Sequence, residues 1–422
     1  MTHRINPFVP NSPVNPGMFV GRIDEVIRLE KALLQTRADN PAHFMITGER
    51  GIGKSSLLLY IKYVAEGSIP IDDETLKLLI VPIDVDRSTT QIGLIQRIQL
   101  ALDRQLGMTE PARKFLKDAW EFIQRLRIMD SGISTAEHNG SQEVLLDEFA
   151  YSLANISKRT CTSIDTSMFN AKYDGILILI DESDNCSREL GLGACLKLLI
   201  ERLQRHGCNR VIIGLAGLPE LRSRLQESHP SSLRIFEELS LGRLSNEEVS
   251  TVIDRCIEKA NEQNIQKVII NESARKRLIA FSEGYPHFIQ QFGYSAFNIN
   301  ADNIIDENDV FNGAFGDRGA LELIGDRYYR NDFYNKIQSD STRQILQIMA
   351  DNLDGWVTRQ NISSRFKGKK SVLNNGLKAL RDRHIILSKE GSRGVYRLQH
   401  KGFALWIKMY TNPQIKNGMA SN

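Results

Sequence analysis

The sequence predicts an α/β protein with a doubly wound parallel-sheet core, a helical lid and a C-terminal winged helix-turn-helix domain. Three observations carry that prediction. The stretch HFMITGERGIGKSSLLLY, residues 43–60, joins an apolar run to an apolar helical pattern through G-x-x-x-x-G-K-[ST]. Further short, continuously apolar runs then alternate with amphipathic stretches, as strands buried on both faces of a parallel sheet require. From Ser245 the pattern becomes helical, and it ends in a strongly basic module.

The loop comes first. Gly48, Gly51 and Gly53 let the backbone curl tightly and point N–H groups inward at a β-phosphate. The helix starting near Lys54 adds the positive end of its dipole. Glu49, Arg50, Gly51, Ile52, Gly53, Lys54, Ser55 and Ser56 are therefore the candidate phosphate-binding residues. Lys54 would place a point charge on the β- and γ-phosphates, and the Ser55 hydroxyl would ligate Mg²⁺. Before the loop, residues 1–18 carry Pro7, Pro10, Pro13 and Pro16 and read as an extended arm. Asp24 to Gln35 has helical apolar spacing.

After the loop helix, Lys77 to Asp86 reads as a second buried strand, and Thr90–Leu106 and Glu110–Ile128 as amphipathic helices. Asp130–Ser141 reads as a polar loop, Gln142–Ile156 as a helix and Ser157–Lys172 as a looser segment, so residues 105–172 form a helical insertion. Gly175–Asn185, GILILIDESDN, is a buried strand ending in Asp181 and Glu182, the Walker B form. Asp181 would hold Mg²⁺, and Glu182 would orient and polarise an attacking water, because phosphoryl transfer needs mainly positioning and charge stabilisation. A helix at Gly191–His206, a strand at Arg210–Ala216 and a last strand within Leu233–Leu244 complete the core, 19–244. Arg234, in competition with Arg222, Arg224 and Arg243, is a candidate finger toward a neighbouring subunit's γ-phosphate.

Ser245-Asn246-Glu247-Glu248 opens the lid as a capping box, with helices at 246–263, 271–283 and 286–299. Residues 300–340 are polar and Asp-rich and read as one more amphipathic piece and a linker. Residues 341–410 read as helices at Ser341–Ala350, Thr358–Phe366 and Lys370–His384, a hairpin wing and a last helix, followed by a flexible tail at 411–422. This module holds 14 Lys/Arg against four acidic residues, a net of +10, whereas residues 1–340 carry a net of −8. Such a module suits a polyanion, and double-stranded DNA is the expected partner. Lys370, Asn374, Asn375, Lys378, Arg381 and Arg393 are the candidate DNA contacts: cations for phosphates, amides for base edges.

The five cysteines are scattered and form no C-x-x-C pair, which points to free thiols in a reducing cytoplasm and away from zinc or disulfides. No segment approaches the roughly 18 apolar residues of a membrane span, and no secretory leader is visible. The absence of an Asn-Lys-x-Asp motif favours adenine over guanine, hence ATP with Mg²⁺ as cofactors.

Phe19-Val20-Gly21-Arg22, GERGIGKSS, LILIDESD, GLPEL and Gly284-Tyr285-Pro286 together resemble the AAA+/STAND ATPases. The likeness runs over about residues 5–410 and is strongest to origin-initiator-like ATP-binding proteins that end in a winged helix. The resemblance implies that Val20 and Gly21 lie against adenine and that Pro286 closes the pocket from the lid. It also places His287 where initiator-type members carry a nucleotide-sensing arginine, and it finds no polar sensor after Ala216-Gly217. The implied activity is slow ATP hydrolysis that switches DNA binding, in a homo-oligomer or with a partner protein encoded nearby. The alternatives are a STAND-type signalling or anti-phage ATPase whose winged helix is regulatory and whose output is a protein partner, and a nucleotide-binding subunit with negligible hydrolysis.

Overall fold

The computed structural model describes residues 4–123, 138–162, 168–169, 171–353, 355–389 and 391–411. By internal contacts the chain divides into two units, 13–242 and a second formed by 1–12 with 243–422.

The first unit is built on a five-stranded parallel sheet. Its strands are β1 (Phe44–Thr47), β2 (Leu78–Asp84), β3 (Gly175–Asp181), β4 (Val211–Gly217) and β5 (Glu237–Ser240), in the spatial order β2-β3-β4-β1-β5. The three central strands β3, β4 and β1 are buried almost throughout, which is why they read as continuous apolar runs. Around the sheet lie α1 (Ile23–Arg37), α2 (Lys54–Ala65), α3 (Gln91–Leu106), α4 (Glu110–Ala119), α5 (His138–Thr162), α6 (Leu192–Arg205) and α7 (Leu221–Ser228). Leu57, Ile61 and Val64 turn the inner face of α2 onto the sheet and so fix where its N-terminus, and the loop before it, must lie.

The insertion departs from its expected boundaries. The helix expected over Glu110–Ile128 is broken at Trp120: α4 ends at Ala119, residues 121–123 are helical again, and 124–128 fall outside the described residues. At this break the Trp120 indole stacks on Phe149 at 5.8 Å and donates from Nε1 to Asp103 at 3.0 Å. The loop expected over Asp130–Ser141 is helical from His138, its earlier part lying outside the described residues. α5 also runs through Ser157, Thr160 and Cys161, all buried, into the segment expected to be loose. Thr160 returns its hydroxyl to Ile156 O at 2.8 Å, so its polarity is satisfied within the helix. Residues 163–167 and 170 of that segment are not described.

In the second unit, α8 (Asn246–Gln263) begins with the expected capping box, in which Ser245 and Glu248 exchange hydrogen bonds. α9 (Glu272–Ser282), α10 (Pro286–Ile299), α11 (Glu307–Phe315) and α12 (Ala320–Ile324) follow. The linker expected within 300–340 is instead packed structure. Ile304–Ile305 (β7) pairs in parallel with Ile269–Ile270 (β6), and two π-helical turns at Gly325–Tyr329 and Asp332–Lys336 carry buried Tyr329 and Phe333. The Asp-rich composition reflects an N-cap, since Asp306 and Asp309 form a second capping box on α11.

The chain ends with α13 (Asp340–Ala350), β8 (Val357–Thr358), α14 (Arg359–Arg365), α15 (Lys370–Asp382), β9 (Ile386–Ser388), β10 (Val395–Leu398) and α16 (Lys401–Tyr410). β9 and β10 form an antiparallel hairpin, and β8 adds a third strand beside β10. From residue 4 the N-terminal arm holds no α-helix or strand, only a turn at 10–12 and a 3₁₀ turn at Pro16–Met18. Its first part is packed: Phe8 is fully buried, and Arg4 donates to Asn300, Asn303 and the Phe297 carbonyl.

His43, at the start of β1, is buried and accepts from Ile213 N at 3.1 Å through Nδ1. Burial depresses its pKa from 6.5 to about 4. The unfolded chain therefore takes up this proton first, and stability is lost as pH falls from about 6.5 toward about 4, by up to about 3 kcal/mol. Thermal midpoints measured against pH should fall more steeply over that window in the wild type than in His43→Gln.

Candidate functional site

The phosphate loop leaves β1 at Gly48 and enters α2 at Lys54. Gly51 and Gly53 adopt φ of 76° and 100°, which a side chain would resist. Gly53 is the N-cap of α2, so the loop runs directly into unpaired helix N–H groups. Lys54 Nζ donates to the Gly48 carbonyl at 2.7 Å and to the Glu49 carbonyl at 3.0 Å. Burial lowers the pKa of this ammonium, and the charges of Asp184 and Asp181 oppose that effect.

β3 lies two places from β1, with β4 between them. Even so, α2 carries Ser55 to the end of β3, where its exposed Oγ lies 3.5 Å from Asp181 Oδ2. The structure thus brings Lys54, Ser55 and Asp181 together from two separated segments. Burial raises the Asp181 pKa, against the backbone N–H of Glu182, which donates to Oδ1 at 2.8 Å. Both the lysine and the aspartate are pushed toward neutrality because desolvation outweighs their mutual attraction.

Glu182 is exposed and sits in the left-handed region at φ 50°, ψ 32°. A non-glycine residue there costs about 1–2 kcal/mol, a cost that recurs at functional sites. Its carboxylate accepts from Asn185 Nδ2 at 3.0 Å. Gly48 N donates to Gly217 O at 3.3 Å, and Leu218 N donates to Asp184 Oδ1 at 2.8 Å. The buried Asp184 carboxylate therefore stands at the end of β4, close to Gly217, where the sequence offers no polar sensor.

Sequence reasoning missed Asp184 and Asn185. Both lie in the DESDN run, but a carboxylate that caps a neighbouring strand has no pattern of its own. Arg22 was legible only as part of a motif. Its guanidinium donates to Ile52 O at 3.2 Å and to Gly242 O, tying the loop to the end of the unit. Phe19 stacks on Tyr60 of α2 at 5.5 Å, which seats Val20 and Gly21 beside that helix. Pro286 belongs to the other unit, as the first residue of α10.

Of the candidate finger arginines, Arg222 pairs with Glu238, Arg224 donates to Cys186 O at 2.9 Å and Arg243 engages Glu283 and Tyr285. Arg234 is exposed on a short 3₁₀ turn with no ion pair among the described residues. His287 accepts from Arg327 at 3.0 Å, and burial with that neighbouring cation depresses its pKa to about 4. All five cysteines are buried and free. Among the described residues no helix is long and apolar enough to cross a membrane.

Lys370, Asn374, Asn375, Lys378, Arg381 and Arg393 are all exposed. The first five lie on α15, whose opposite face buries Leu373, Leu377 and Leu380, and Arg393 lies between β9 and β10. None of the four cations is ion-paired among the described residues. Asn374 is not free: its Oδ1 accepts from Arg359 Nε and Nη2 at 3.1 and 2.9 Å.

Neither a family model nor a curated protein matches the sequence. The fold, however, is similar to that of the Aeropyrum pernix ORC2 protein in its ADPNP–ADP complexes: TM-score 0.57 at 16% identity, over 95% of this chain and 96% of that one. The ADP form of the same protein matches at TM-score 0.51 and 17% identity, over 98% of each chain. The chain therefore shares the fold of this Aeropyrum pernix ORC2 protein.

Within this fold, Asp184 ties the β3 end to the β4 end. Asp184→Ala should strand the Leu218 N–H and cost about 1–3 kcal/mol in urea denaturation, whereas Asp184→Asn, which keeps an acceptor, should recover most of that loss.

Proposed function

We propose that the chain is a slow ATP-hydrolysing switch that couples nucleotide state to duplex DNA binding through its C-terminal winged helix-turn-helix. The observation that carries the ATP part is the convergence of Lys54, Ser55 and Asp181 at the carboxyl ends of the sheet, with Ser55 Oγ 3.5 Å from Asp181 Oδ2. Two hard oxygen donors side by side fit Mg²⁺, which takes its remaining ligands from water and phosphate oxygens. Mg²⁺ would supply charge neutralisation at the β- and γ-oxygens when bound.

The chain's own residues do the rest. Lys54 exchanges its loop carbonyls for phosphate oxygens, and the N–H groups of Gly51 to Ser56 bind the phosphates. Glu182 orients the attacking water once it turns from Asn185. Slow turnover is supported by the lack of a polar sensor after Ala216-Gly217, where Asp184 instead accepts from Leu218 N at the β4 end. Arg234, exposed and without an ion pair among the described residues, is the finger candidate left available to a second copy of the chain. Glu182→Gln should keep ATP affinity within about threefold and lower turnover by about 10²-fold or more, read by phosphate release under saturating ATP. Unchanged turnover would remove Glu182 from its role.

The DNA part rests on four exposed cations on α15 and the wing that carry no ion pair among the described residues, in a module of net charge +10. The helix order α13–α14–α15, with a β9–β10 hairpin after it, suits insertion of α15 into a major groove. Duplex affinity should fall steeply with salt, and Lys378→Ala with Arg381→Ala should reduce the log–log salt slope by about 2. An absence of duplex binding at low salt would sink this part and favour a protein partner.

A further inference from the structure

The chain passes between its two units twice, at Ser12–Pro13 and at Gly242–Arg243. The second crossing is pinned on both sides by arginines. On the phosphate-loop side, the buried Arg22 guanidinium holds Ile52 O, inside the loop, together with Gly242 O, the last carbonyl of the unit.

One residue later, Arg243 gathers two separate segments of the second unit. Its Nη1 lies 3.7 Å from Glu283 Oε2, and its Nε donates to Tyr285 Oη at 3.2 Å. The guanidinium also lies over the Tyr285 ring, 4.8 Å from the centroid. Its Nη2 donates to Gln399 O at 3.1 Å, just before α16. Glu283 reaches the same place independently, accepting from Gly402 N at 2.9 Å through Oε1.

The backbone reinforces this junction. Leu244 N donates to Gly284 O at 2.9 Å, and a Cβ on Gly284 would fall 2.5 Å from Leu244 O. Tyr285 meets His400 edge to face at 4.6 Å. Only 8% of the Glu283 side chain is exposed, so its charge depends on the cation beside it. The turn leading into Pro286 and the start of α16 are therefore fixed on one side chain, one peptide bond from a carbonyl held by the same arginine as the phosphate loop.

We propose that Arg243 is a positioning residue that couples the phosphate loop to the C-terminal module. Occupancy of the loop by a nucleoside di- or triphosphate bears on Ile52 and, through Arg22, on the Gly242–Arg243 peptide. Arg243 then carries the displacement to the Glu283–Pro286 turn and to the start of α16 together. This rests on the ATP-binding reading above, and it names the residue through which that site is reported.

The test is hydrogen exchange on the full chain, with ADP and ADPNP as probes and nucleotide affinity measured on the same preparations. In the wild type the two nucleotides should produce different exchange at 283–287 and 399–404, by about fivefold or more and in parallel. Arg243→Ala should bind both nucleotides within about threefold of the wild type, yet lose the nucleotide-dependent difference at 399–404 while keeping it at 48–56. Arg243→Lys should fail to restore it, because an ammonium cannot span Glu283, Tyr285 and Gln399 as a planar fork does. Should Arg243→Ala not fold, Glu283→Gln decides: it keeps an acceptor for Gly402 N but loses the charge, and the difference at 399–404 should shrink. A purely structural role would lower the thermal midpoint and leave the nucleotide-dependent difference in place.

Persistence of that difference in Arg243→Ala, or wild-type-like behaviour in Glu283→Gln, overturns the proposal. So does a wild type that binds nucleotide with no change at 399–404. A wild type that binds neither nucleotide overturns the ATP-binding reading itself, and the coupling with it.

Discussion

The Lys54 ammonium is a half-buried cation, and the arrangement around it follows from the cost of burying charge. Two loop carbonyls solvate it directly, and the carboxylates of Asp181 and Asp184 supply the nearest opposing charge. Neither source suffices alone, because burial still pulls its pKa down. The loop must therefore keep its curl and the β3 end must stay beside α2, and each is enforced separately. Positive φ at Gly51 and Gly53 shapes the loop. The buried face of α2, through Leu57, Ile61 and Val64, sets the helix on the sheet. A phosphate entering here meets a cation only weakly committed to its present partners, since carbonyl dipoles are easily exchanged for anionic oxygens.

The strand order explains why two carboxylates with different tasks end up so near the loop. β4 separates β1 from β3, which opens space at the carboxyl ends for a ligand instead of closing it with a direct strand pair. The Gly48–Gly217 and Leu218–Asp184 hydrogen bonds then seal the floor of that space. Asp181 is turned toward Ser55 and held by the Glu182 amide, whereas Asp184 is turned back into the sheet. Two acidic residues three apart thus acquire separate environments, one set to meet a cation and one set to hold a strand end.

How much of this was legible depends on whether a side chain's task leaves a periodic trace. Buried parallel strands do: LILIDE announces both the strand and the acidic pair at its end, and the glycine spacing announces the loop. Amphipathic helices α8 and α15 carry their caps or apolar faces in plain order. The insertion does not, because its helix breaks at Trp120, whose indole meets Phe149 and Asp103, residues brought near only by the fold. The stretch 300–340 looked like a linker because Asp306 and Asp309 are helix caps and its apolar residues are spread over short turns. Asp184, Asn185 and Arg22 act on backbone groups or on neighbours supplied by the fold, and no spacing rule marks such contacts.

Charge and burial also divide labour along the chain. The cations of α15 are exposed and carry no ion pair among the described residues, as condensation on a polyanion would require, and the apolar face behind them fixes the helix that presents them. Arg243 is the opposite case, a cation consumed by aromatic, carboxylate and carbonyl partners drawn from distant segments. A surface cation can be lost with little effect on its neighbours. One that neutralises a buried carboxylate cannot, because the carboxylate would be left uncompensated in a poorly solvated place. The same energetics that make such a junction costly to break also make it stiff. Stiffness is what a small displacement at a phosphate loop needs if it is to reach a helix at the far end of the chain without being absorbed on the way.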